Sequence, residues 1–176
     1  MARTYDLEPF DLDFFDTAPI SYRIDINIPV SPQRAWAELT RQNTLDWCKA
    51  IKSIEFTSAA PYGVGTTRQA SLAPGYVTLS EVFFDWTEDA ENSSYHNAFR
   101  VAKVNVPGMR RFGEYTEITP AAVGSRLVWA FALELGPSSR ALNAFSNPAS
   151  VPVFKSIESD TLCLLYTSDA ADEGLG

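Results

Sequence analysis

Residues Thr66-Thr-Arg-Gln-Ala-Ser-Leu-Ala-Pro-Gly-Tyr-Val-Thr-Leu-Ser-Glu81 hold two alternating stretches on either side of Pro74-Gly75, and their reading decides the fold. Pro74-Gly75 is turn chemistry, so the two stretches form a hairpin whose register follows from symmetry about that pivot. Positions 68 and 81 are equally far from it, which makes Arg68 and Glu81 cross-strand neighbours on one face. The same face carries Ala70, Leu72, Val77 and Leu79. A charged pair on an otherwise apolar wall reads as the lining of a cavity with a polar anchor.

Upstream, Ile20-Ser-Tyr-Arg-Ile-Asp-Ile-Asn-Ile28 alternates with period two, placing Tyr22, Ile24, Ile26 and Ile28 on the buried side of a first strand. Ser31 then has the chemistry of an N-cap and Pro32 that of a first helical residue, predicting a helix through Arg41 that buries Ala35, Trp36 and Leu39. A second short helix is expected over Thr44–Ala50, with Leu45, Trp47 and Cys48. The remainder reads as strands at Ile51–Ser58, Thr66–Leu72, Tyr76–Thr87, Ser94–Val104, Arg110–Thr119 and Ser125–Leu135, separated by Gly, Pro, Asn and Asp turns. From Ser138 to about Asp160 the pattern turns helical, with Leu142, Phe145, Val153, Phe154 and Ile157 as apolar positions and Pro148 and Pro152 as breaks. The fold class is therefore α+β: a seven-stranded antiparallel sheet curved around a C-terminal helix, with two short helices after the first strand.

The 176 residues are 45% hydrophobic and 12% aromatic, enough for one domain with a substantial core. A formal charge of −8 argues against nucleic acid and anionic membrane surfaces as partners. No apolar run reaches the roughly 20 residues of a membrane span, and the N-terminus lacks a signal-peptide core. Cys48 and Cys163 give neither a disulfide framework nor metal-ligand spacing, so a cytoplasmic location without metal or cofactor is expected. Residues 1–19 form an acidic extension whose Phe10, Phe14 and Phe15 are expected to pack on the body formed by residues 20–162. The string Cys163-Leu-Leu-Tyr-Thr-Ser-Asp-Ala-Ala-Asp-Glu173 resembles the translation of a sequencing-library adapter. That resemblance sets residues 163–176 apart as a non-native tail.

Several strings resemble one known superfamily. Ile28-Pro-Val-Ser-Pro-Gln-Arg-Ala-Trp36 is similar to the start of the first helix in the START / polyketide-cyclase-like (SRPBCC) superfamily. Trp47, Gly63-Val-Gly-Thr-Thr-Arg68, Glu81 and Gly124-Ser-Arg-Leu-Val-Trp129 follow in the matching order, so the resemblance spans about Ile20 to Asp160. It implies a helix-grip fold around a hydrophobic cavity. It does not imply one activity, since the superfamily includes lipid carriers, receptors, cyclases and stress proteins.

Two accounts of Arg68 and Glu81 stand side by side: a structural ion pair, or an anchor for a ligand's polar group. Trp47, Leu79, Phe83, Tyr95, Phe99, Trp129, Phe131 and Phe154 are the remaining candidate ligand-binding residues, each readable as ordinary core. Tyr115 has an uncertain facing. His96, the only histidine, falls on the opposite side of its strand from Tyr95, Phe99 and Val101, away from the cavity. The expected function is binding of a small hydrophobic molecule (lipid, aromatic or polyketide-like) without catalysis. The alternative is a cyclase/dehydratase-type enzyme with Glu81 as its acid/base.

Overall fold

A computed structural model describes residues 3–137 and 152–166. The expected sheet is present: β2 (Ile20–Ile28), β3 (Ile51–Phe56), β4 (Thr67–Leu72), β5 (Val77–Asp89), β6 (Ser94–Val104), β7 (Met109–Pro120) and β8 (Ser125–Leu135) lie in the order β2-β8-β7-β6-β5-β4-β3. All pairings are antiparallel. Arg68 pairs with Glu81 and Leu72 with Val77, the register that symmetry about Pro74-Gly75 requires.

One helix, α2 (Pro32–Thr40), follows β2, with Ser31 Oγ accepting a hydrogen bond from Arg34 N at its start. The helix expected over Thr44–Ala50 is absent, and turns occupy residues 42–47. Asn43 and Leu45 take left-handed backbone conformations, φ 59° and 60°, which end any helical run. Side chains hold this segment instead. Arg41 Nη1 donates to the Gln42 and Asn43 carbonyls, Arg41 Nη2 to Asp46, and Thr44 Oγ1 to the Glu38 carbonyl.

The gripping helix, α3, is described over residues 152–166, and Pro148 and the residues leading into Pro152 lie outside the described residues. Leu142 and Phe145 lie outside the described residues. Phe154, Ile157, Thr161 and Leu165 recur at three- and four-residue spacing and are all buried. Val153, expected to be buried, is 38% exposed. The helix also runs past residue 162. Leu165 is fully buried and Tyr166 donates to the Asn27 carbonyl at 3.2 Å, so both residues contact the body of the fold, whereas Cys163 is exposed. Phe154 stacks on Phe131 with ring centres 4.6 Å apart and on Tyr22 at 5.9 Å, which fixes α3 across the inner face.

The acidic extension is ordered on the outer face. Strand β1 (Tyr5–Asp6) pairs with Val104 and Lys103, making an eighth strand, and a helical turn, α1 (Phe14–Thr17), follows. Phe10, Phe14 and Phe15 cover Ala98, Ala130 and Ala132. Small residues are needed beneath these rings. A Cβ on Gly113 would lie 2.4 Å from the Phe99 carbonyl oxygen and 2.6 Å from Phe10 Cζ.

Candidate functional site

Between the sheet and α3 lies a cavity of about 60 Å³. Its apolar wall includes Leu79, Phe99, Phe112, Phe131 and Phe154, and Arg68, Glu81 and Glu114 supply charge. A smaller chamber of about 10 Å³ adjoins it, sharing Leu45, Arg68, Phe99 and Glu114 and adding Leu39, Asn97, Thr116 and Trp129. The floor of the site is thus sheet, and its rim is the 41–50 turn and α3.

Arg68 and Glu81 face inward from β4 and β5, each about 95% shielded from solvent. Arg68 Nε donates to Glu81 Oε2 at 2.5 Å. The guanidinium lies 4.5 Å from the Phe99 ring centre, 5.1 Å from Phe83 and 5.7 Å from Phe56, so three aromatic faces stabilise the cation where water cannot. Burial pushes the Glu81 carboxyl above the ordinary carboxylate range, and Arg68 opposes that shift.

Sequence reasoning missed Glu114. Strand β7 reads Phe112-Gly-Glu-Tyr-Thr-Glu-Ile118, with aromatic and charged residues on both faces, so alternation leaves its orientation open. The pairing resolves it: Glu114 lies opposite Phe99 and Phe131, both inward, and Thr116 lies opposite Trp129. Desolvation raises Glu114 to about 7; Arg68, the Trp129 indole and the Thr116 hydroxyl lower it, while Glu81 raises it. Two carboxylates therefore share one guanidinium. The indole acts on Glu114 without a well-formed hydrogen bond: Trp129 Nε1 is buried and has no partner in hydrogen-bond geometry among the described residues.

Not all the expected ligand-binding residues reach this space. Arg68, Leu79, Glu81, Phe99, Phe131 and Phe154 line the larger cavity, and Trp129 lines the smaller. Phe83 sits behind Arg68 in the aromatic box, and Tyr95 stacks on Trp36 at 5.6 Å. Trp47 donates to Thr161 Oγ1 at 3.1 Å and lies under Arg41, at the seam between the turn and α3. Facing inward does not say how deep along a wall a side chain lies: Phe83 and Tyr95 are buried away from the cavity, and Trp47, on the turn, is half-buried. Tyr115 faces outward, hydrogen-bonded to Glu117 and packed on Phe15. His96 is also on the outer face, 3.2 Å from Asp85. Cys48 is buried and its thiol is pushed up to about 11, chiefly by desolvation. Among the described residues no cluster of His, Cys, Asp and Glu could hold a metal ion, and no helix is long and apolar enough to cross a membrane.

The family described as polyketide cyclase / dehydrase and lipid transport matches residues 19–157. An uncharacterized Mycobacterium tuberculosis protein is 29% identical over 143 residues, covering 80% of this chain and 82% of its own. Among solved structures, a Thermus thermophilus protein superposes with a TM-score of 0.58 at 21% identity, covering 82% of this chain and 98% of that one. A START superfamily protein from Mycobacterium smegmatis gives 0.58 at 10% identity over 83% and 95% of the two chains. The ginseng major latex-like protein 151 gives 0.54 at 12% identity over 82% and 96%. With an antiparallel sheet wrapped on a C-terminal helix in a helix-grip fold and a family match over most of its length, the chain belongs to the polyketide cyclase / dehydrase and lipid transport family.

Proposed function

We propose that this chain binds a small hydrophobic molecule, a lipid, aromatic or polyketide-like compound, between sheet and helix, and that it does so in the cytoplasm without turning the molecule over. The observation that carries this reading is the buried Arg68–Glu81 pair on a wall otherwise built from Leu79, Phe99, Phe131 and Phe154. Apolar surface supplies affinity, and the charged groups orient one polar end. A cavity of about 60 Å³ is small beside the roughly 300 Å³ of ordinary ligand pockets, so binding requires α3 or the 41–50 turn to shift outward.

A second reading, cyclase/dehydratase-type chemistry, draws support from one feature. Glu114 titrates near neutrality beside Arg68, as a general acid/base must, whereas Glu81 is committed to its ion pair. Binding is preferred because neither His96 nor Cys48 offers the cavity a second proton carrier.

The test is to incubate the full chain with a cell extract, re-purify it, and identify bound small molecules by mass spectrometry. An apolar compound should co-purify, and Glu81→Gln should weaken it by about 1–3 kcal/mol without unfolding the chain. Release of a chemically altered compound would favour the enzyme. Recovery of nothing beyond what a heat-denatured control retains would defeat both readings.

A further inference from the structure

The small chamber says what kind of polar group the ligand carries. At about 10 Å³ it has room for one water-sized group, and Arg68, Asn97, Glu114, Thr116 and Trp129 surround it. It opens on the same side chains that line the apolar cavity, so an apolar body in one places a polar tip in the other. Two constraints act on that tip. Trp129 Nε1 is a buried donor without an acceptor in hydrogen-bond geometry, and a buried unpaired donor is unfavourable until one arrives. Glu81 and Glu114 already outnumber Arg68, so an anionic tip would meet net negative charge in a poorly solvated place.

We infer that the ligand's polar end is an uncharged hydroxyl in this chamber, accepting from the Trp129 indole N–H and donating to the Glu114 carboxyl. This rests on the hydrophobic-ligand reading and narrows it to alcohols and phenols. A hydroxyl satisfies both groups at once. A carboxylate would accept from the indole but repel Glu114, and an ammonium would satisfy Glu114 but leave the indole unpaired. The raised pKa of Glu114 agrees with this arrangement, since a second anion beside it would oppose its ionisation further.

The test is a matched series of one ten-carbon chain: 1-decanol, decylamine and decanoate, titrated into the full protein at pH 8 and followed by tryptophan fluorescence and calorimetry. 1-Decanol should bind about tenfold or more tightly than decanoate, as one charge-assisted hydrogen bond implies. Trp129→Phe should weaken 1-decanol by about tenfold, and Glu114→Gln should shrink the alcohol-to-acid ratio as repulsion of decanoate is relieved. Equal or tighter binding of decanoate or decylamine overturns the hydroxyl assignment while leaving hydrophobic binding intact. So does an unchanged ratio in Glu114→Gln, which decides the matter alone should Trp129→Phe fail to fold. If no member of the series binds, the hydrophobic-ligand reading fails and the assignment falls with it.

Discussion

Replacing Glu114 with glutamine should change how stability depends on pH, with a size that follows from the site. The carboxyl rises from an ordinary 4.5 to about 7 in the folded chain, mainly because burial penalises its charge. A folded-state pKa above the unfolded one means that the folded chain holds this proton more tightly. The stabilising contribution is fully present below pH 4.5 and disappears as pH rises through 7. At 1.36 kcal/mol per pKa unit, that span corresponds to about 3 kcal/mol. Glu81 shifts in the same direction and adds to the loss in the wild type, but it is present in the variant as well. The lowered carboxyls of Glu8, Asp25 and Asp89 act in the opposite sense at lower pH and are also shared. The difference between the two proteins therefore reports position 114 together with its charge coupling to Glu81. Urea unfolding followed by tryptophan fluorescence at pH 5, 6, 7 and 8 reads it directly. The variant should gain on the wild type by about 2.5 kcal/mol between pH 5 and pH 8, since part of the loss has already occurred by pH 5. A difference that stays constant across that range would refute the burial and facing assigned to Glu114.

Four further outcomes follow. Arg68→Ala leaves Glu81 buried without its cation and should cost about 3–5 kcal/mol in chemical denaturation, whereas Arg68→Met combined with Glu81→Leu should recover most of that loss. A single-variant cost below about 1 kcal/mol would contradict the buried pair. Leu165→Ala should cost about 2–5 kcal/mol, and an unchanged thermal midpoint would show that Leu165 does not pack as described. Gly113→Ala should cost about 1–3 kcal/mol and speed proteolysis within residues 11–17, because its Cβ collides with backbone and with Phe10. A thiol reagent at pH 8 should label exposed Cys163 promptly and reach Cys48 only on unfolding; prompt labelling of both would contradict the burial of Cys48.

The sheet was legible because Ile20–Ile28 alternates strictly and turn residues separate the strands that follow it. Ile20–Ile28 places an apolar or aromatic residue inward at every second position, Leu127–Leu135 does the same although Val128, Ala130 and Ala132 are also apolar and buried, and symmetry about Pro74-Gly75 gives the register found. Three features escaped for separate physical reasons. The 41–50 segment has helix-like spacing, but left-handed Asn43 and Leu45 break the helical run into turns, closed by Thr44 N donating to the Arg41 carbonyl and Cys48 N to the Leu45 carbonyl and braced by Arg41 donating to the Gln42 and Asn43 carbonyls. Strand β7 carries rings and charges on both faces because Phe15 packs on its outer side, so Glu114 could not be told from Tyr115 by pattern. Leu165 continues the stripe begun by Phe154 and Ile157, whatever the string resembles, since a helix packs by spacing alone.

The strand order has a kinetic consequence. From β3 to β8 every sheet neighbour is also the next strand in sequence, so each hairpin can close over a short turn as the chain collapses. The two strands before β3 differ: two-residue β1 pairs with β6, and the nine-residue β2 must find β8 across an intervening stretch of about a hundred residues, Ile28 meeting Ser125 and Ile20 meeting Leu133. Closing a loop of that length costs about 4 kcal/mol in entropy before any contact repays it. Folding should therefore run as an early meander followed by a slow docking of β2, and the inner wall beside Trp129 is completed only when that late pair has formed.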